Sequence, residues 1–151
     1  MTLDSNPDRL KIDLSIDSVI QEGHGKIRTI FRTSERLKST AVMKKVWGVC
    51  IQARRIYDLL EKKPHLCRMA RPFLVHYMDA FREIVEGYEK HTSDGGEGGA
   101  VENSIRRAGK LIGVLGESFE KLLENLSGDD LLALDAEMKV LETALKSEGL
   151  A

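Results

Sequence analysis

Along most of this chain apolar residues recur at alternating intervals of three and four, a spacing that gathers them on one face of an α-helix and scatters them in a strand. Val42, Val46, Val49, Ala53, Ile56 and Leu60 form one such stripe, and Met43, Trp47, Cys50 and Tyr57 form a second beside it. A sector that wide predicts a helix over about 34–63 buried against more than one neighbour. Thr33 or Ser34 is suited to cap its start, and Glu35 to face the positive end of its dipole.

Pro64 interrupts the pattern, and proline is tolerated in a first turn but not in a helix interior, so a second helix is expected over about 64–91. Ala70, Phe73, Leu74, Tyr77, Phe81, Ile84 and Tyr88 keep the helical spacing there, with the two tyrosine hydroxyls expected at the bundle edge. Residues 92–100 read as a flexible loop; no Gly-Lys-Ser/Thr follows its glycines, so it is not a Walker phosphate loop. A third helix, about 101–126, carries Ile105, Ala108, Ile112, Leu115, Phe119, Leu122 and Leu126, and Gly128 is placed to end it. Ser127 with Asp130 resembles a capping box for a fourth, about 130–147, striped by Leu134, Met138, Leu141 and Leu145.

Residues 1–33 fit less well. Leu10, Ile12, Leu14 and Ile16 alternate with polar residues, and Gly23-His24-Gly25 reads as a break. A lone strand has no partner, so this stretch is expected as an irregular arm, extended or carrying a short helix near 15–22. The fold class is therefore all-α: one domain, an antiparallel three- or four-helix bundle over 34–151 behind an N-terminal arm. The helices before and after Pro64 are expected to form an antiparallel hairpin, and stripes this wide would also support a homodimer.

No stretch approaches about 18 consecutive apolar residues, so no membrane span is expected, and Met1–Asn6 does not open a secretory signal. Cys50 and Cys67 are then expected as reduced structural thiols, which points to the cytoplasm, with attachment at the membrane periphery as the alternative. Charge is segregated: residues 24–71 carry 13 Lys/Arg against Glu35, Asp58 and Glu61, whereas 72–151 carry 8 against 16 Asp/Glu. The pI of about 6.4 argues against a dedicated nucleic-acid domain, so the expectation is that basic and acidic helices attract one another within the bundle.

Two stretches carry a family resemblance. One is Leu60-Glu61-Lys62-Lys63-Pro64 leading into Arg68-Met69-Ala70-Arg71-Pro72-Phe73-Leu74-Val75-His76-Tyr77-Met78 and on to Ile84-Val85-Glu86-Gly87-Tyr88. The other is Leu132-Ala133-Leu134-Asp135-Ala136-Glu137-Met138-Lys139-Val140-Leu141-Glu142, closing at Glu148-Gly149-Leu150. Over roughly 60–150 the chain resembles the XpaC-like family, named for 5-bromo-4-chloroindolyl phosphate hydrolysis. The resemblance implies phosphate-ester hydrolysis and a link to toxic-anion (tellurite) resistance proteins as partners. Some relatives carry N-terminal membrane-spanning segments.

Hydrolytic chemistry is not visible in the residues. A cysteine phosphatase needs an arginine six residues after its thiolate; Cys50 is followed there by Ile56 and Cys67 by Phe73. There is no Asp-x-Asp pair, and His24, His65, His76 and His91 are scattered with no His-x-x-x-His. Neither a metal nor a cofactor is expected. Asp135 and Glu137, two apart, diverge on a helix. The best candidates for ligand contact are Arg68 and Arg71, three apart near a helix start with exposed backbone N–H groups close by, joined by Tyr77; an oxyanion or partner carboxylate would suit them. The expected function is a non-catalytic helical interaction or scaffolding protein linked to toxic-anion (tellurite) or envelope-stress resistance, with a phosphate-ester hydrolase as the alternative.

Overall fold

A computed structural model of the chain describes residues 7–93, 99–128, 139–140, 142–143 and 146–147. Among these residues there are four long α-helices and no strand: α1 Pro7–Glu35, α2 Thr40–Lys62, α3 Cys67–Ser93 and α4 Gly99–Ser127. The 3-4 stripes account for their inner faces. Every residue of the first α2 stripe is buried, as are Ala70, Leu74, Tyr77, Phe81, Ile84 and Tyr88 of α3 and Ala108, Ile112, Leu115, Phe119, Leu122 and Leu126 of α4. At the centre Phe81 meets Phe119 edge-on, ring centroids 6.5 Å apart.

The N-terminal arm expected over 1–33 is the main correction. From Pro7, which is well placed in a first turn, the chain runs as one helix to Glu35. Val19, Ile20, Gly23, Ile30, Thr33 and Ser34 are buried along it, with Ile27 partly buried between them. Gly23 is a member of this buried stripe and not a break. A Cβ built there would overlap Cε1, Cζ and Cε2 of Tyr57 on α2, so glycine allows the α1 backbone to rest directly on the phenol ring.

The turn after α1 corrects the expected cap as well. Thr33 and Ser34 lie in the last turn of α1, donating to the carbonyls of Thr29 and Phe31. The cap of α2 is Ser39, whose Oγ accepts from Val42 N at 3.3 Å. At the other end Lys63 N–H closes α2 on the Leu59 carbonyl at 2.8 Å. Pro64–Leu66 form a 3-10 turn and α3 begins at Cys67, later than the expected helix start at 64. α4 stops where Gly128 N–H bonds the Glu124 carbonyl at 3.0 Å. The helix expected over 130–147 falls largely outside the described residues; 139–140, 142–143 and 146–147 are helical, and Asp130, Asp135 and Glu137 are not described.

Contacts between helices fix their order. α1 packs on α2 and α3, and α4 packs on α2 and α3, so α2 and α3 sit diagonally although they are consecutive. The hairpin expected across Pro64 is therefore not a packed pair; the 3-10 turn carries the chain across the bundle. Lys26–Asp79 and Arg36–Glu89, at 3.1 and 3.2 Å, advance together and make α1 parallel to α3. Gly109 beside Lys45, Gly116 beside Val49 and Lys63 Nζ donating to Ser127 O make α2 parallel to α4. His24 beside Tyr57 and Phe31 beside Trp47 run in opposite senses, so α1 and α2 are antiparallel.

The two N-terminal glycines separate close approach from helix propensity. Gly23→Ala should destabilise the fold by about 1–3 kcal/mol through overpacking against Tyr57, lowering Tm by several degrees. At Gly25, where a Cβ meets no atom within 4 Å, alanine should be neutral or stabilising by about 0.5–1 kcal/mol. Thermal denaturation of the two variants checks the contrast.

Candidate functional site

The outer seam between α1 and α2 is concave. Two adjoining hollows of about 580 and 640 Å³ share Ile27, Arg28 and Arg54 and form one groove. Gln21 and His24 line its polar end. Phe31, Trp47 and Ile51 line its apolar end, and Cys50 lies at the floor. Phe31 is 39% exposed and Ile51 54%, unusual for large apolar side chains beside a core this well covered.

Helix spacing and one hydrogen bond build the apolar end. Ile27 and Phe31 stand one turn apart on α1, as Trp47 and Ile51 do on α2. The Trp47 indole stacks on Phe31 at 5.7 Å, and its Nε1–H donates to Ser34 Oγ at 2.9 Å. Ser34 Oγ in turn donates to the Phe31 carbonyl, so the part-buried indole donor is satisfied within a short hydrogen-bonded chain. Around this strip Arg28, Arg32 and Arg54 are exposed, and among the described residues none of them is in an ion pair. Lys26 and Arg36 of the same basic stretch are paired with α3. Basic and acidic helices thus do attract within the bundle, but three arginines are left facing the groove, with Glu35 the one carboxylate at its apolar end.

Arg68 and Arg71 are exposed in the first two turns of α3, three residues apart. The N–H groups of Leu66 and Cys67 just before them are taken by the carbonyls of Lys63 and Pro64, which weakens the expected anion cradle. Tyr77 is not brought to them. It is fully buried, half a helical rotation from Arg68, and it stacks edge-on with His76 at 5.3 Å. Tyr88 is buried too, not at the bundle edge, and its hydroxyl has no hydrogen-bond partner among the described residues.

Neither thiol is poised as a nucleophile. Burial pushes Cys50 up to about 12, and burial raises Cys67 as well, against the opposing pull of the Arg71 guanidinium. Burial also raises Tyr57 and Tyr77, with nearby negative charge adding to the effect. Among the described residues no three His, Cys, Asp or Glu side chains converge as metal ligands would.

The family described as 5-bromo-4-chloroindolyl phosphate hydrolysis protein matches residues 8–141. The chain belongs to this XpaC-like family. The match takes in all of α2, α3 and α4 and nearly all of α1, so the groove lies wholly within the stretch this family member shares with its relatives. Comparisons with curated proteins and with solved structures returned no match. No described helix of this XpaC-like chain is long and apolar enough to cross a membrane. The groove was not legible in the sequence because one of its two walls stands on α1. The signal was the 3-4 run Ile20, Gly23, Ile27, Ile30 and Ser34, with glycine counted as a buried position.

The buried thiols make stability fall at high pH. Cys50 keeps its proton to about 12 when folded and loses it near 9.0 when unfolded. Its stabilising difference is therefore complete below about pH 9 and is lost as pH rises toward 12, by up to about 1.4 kcal/mol per pH unit. Cys67 adds in the same direction. Denaturant unfolding at pH 8, 9 and 10 should show this decline, and Cys50→Ala should make it shallower.

Proposed function

We propose that this chain is a non-catalytic helical interaction module that docks a protein partner in the α1–α2 groove. The observation that carries the reading is the apolar strip of Phe31, Trp47 and Ile51 left open between arginines that no ion pair holds among the described residues. Such a surface costs solubility when bare and is explained by something that covers it. Aromatic residues and arginine are also the side chains that most often anchor protein interfaces.

The family description favours a second reading, hydrolysis of phosphate esters. That chemistry needs an activated nucleophile or a metal-bound water. Against it stand two buried thiols held protonated and histidines that do not converge among the described residues. A cytoplasmic setting suits the reduced thiols. A toxic-anion resistance protein is the partner suggested by the family resemblance, and binding to nucleic acid is not part of the proposal.

An assay of 5-bromo-4-chloro-3-indolyl phosphate with added magnesium, manganese or zinc separates the readings. The expected result is no turnover that follows the protein through a final gel-filtration step. Co-eluting turnover that falls in Arg54→Glu, or in the Arg68→Ala/Arg71→Ala double variant, with helix content unchanged, would overturn the non-catalytic reading.

A further inference from the structure

We infer that the occupant of the α1–α2 groove is an acidic amphipathic helix of a partner protein, about four turns long, whose apolar ridge covers Phe31, Trp47 and Ile51 while its carboxylates meet Arg28, Arg32 and Arg54. The inference rests on the interaction reading above and names the chemistry of the partner.

From Gln21 to Glu35 the α1 wall runs about 21 Å at ~1.5 Å per residue, and the α2 wall faces it from Trp47 to Arg54. A seam between two antiparallel helices is shaped to receive a third, with anchors on the partner at intervals of three, four and seven. Arginines stand on both walls, Arg28 and Arg32 on α1 and Arg54 on α2, so a helix lying between them is flanked by cations on either side of its apolar ridge. Along the groove the occupant's apolar residues lie over the stacked Phe31 and Trp47, and its carboxylates face Arg28 and Arg32 on one side and Arg54 on the other.

Two other occupants fit less well. A bilayer takes up protruding apolar side chains, whereas Trp47 is half-buried between helices with its N–H turned inward to Ser34. A second copy would have to offer an apolar ridge of its own. Outside the groove the exposed large apolar residues are Val75 and Val140 among the described residues, one on α3 and one beyond α4.

Trp47 is the sole tryptophan, so its emission reports the groove directly. The probes are two 18-residue synthetic helical peptides with the same leucine ridge, one flanked by glutamate and one by lysine. The full chain should bind the glutamate peptide saturably with a blue shift of Trp47. The lysine peptide should bind at least about tenfold more weakly, and Arg28→Glu/Arg54→Glu should invert the preference. Phe31→Ala, at a half-exposed position, should weaken binding without loss of helix content. Equal or tighter binding of the lysine peptide overturns the acidic occupant while leaving a helix-docking groove. The Trp47 shift appearing with phosphatidylglycerol vesicles, or with rising protein concentration alone, and with neither peptide, overturns the helix in favour of a membrane or a second copy. Binding by neither peptide overturns the inference, and the interaction reading is then judged separately by the indolyl phosphate assay.

Discussion

The contact between the α1 backbone at Gly23 and the Tyr57 ring sets how closely the first helix can lie against the second. Any side chain at 23 would push α1 outward. The same approach lets His24 reach the Tyr57 ring and, three turns further along, places Ser34 under the Trp47 indole. Two points of contact at opposite ends of the pair hold the seam at one width. The groove is thus a product of backbone proximity and not of loop conformation.

The charge asymmetry of the sequence follows from the same packing. With α1 parallel to α3, Lys26 and Arg36 find Asp79 and Glu89 across the pair, so part of the positive charge is neutralised within the bundle. Such half-exposed pairs are worth about 0–1 kcal/mol each and serve register more than stability. Arg28 and Arg32 of α1 and Arg54 of α2 line the groove, and among the described residues no ion pair holds them, so they keep the groove positive. Among the described residues, the charge of the groove is set by the arginines that no ion pair holds.

The helical class, the stripes of α2 to α4 and the stop at Gly128 were legible because each follows from residue spacing alone. α1 was not. Leu10, Ile12, Leu14 and Ile16 suggest alternation, and two glycines suggest a break, whereas tertiary contact with Tyr57 turns one of those glycines into an asset. Trp47 and the basic stretch were visible as features, but their meeting across the seam depends on α1 being helical. Tyr77 shows the converse: a neighbour of Arg68 and Arg71 in sequence lies on the opposite side of the helix, in the core. The diagonal placement of α2 and α3 could not be read from Pro64, since spacing says where a helix stops and not which way the chain leaves it.

The groove exists only if α1 is docked as an integral helix of the bundle. Amide hydrogen exchange on the full chain, read by mass spectrometry over peptides covering residues 19–34, tests this most directly. The expected result is protection across Val19–Ser34 comparable to that of α2, because buried helices open only with the bundle. Exchange of these amides at the rate of an unfolded peptide, while α2, α3 and α4 remain protected, would contradict it.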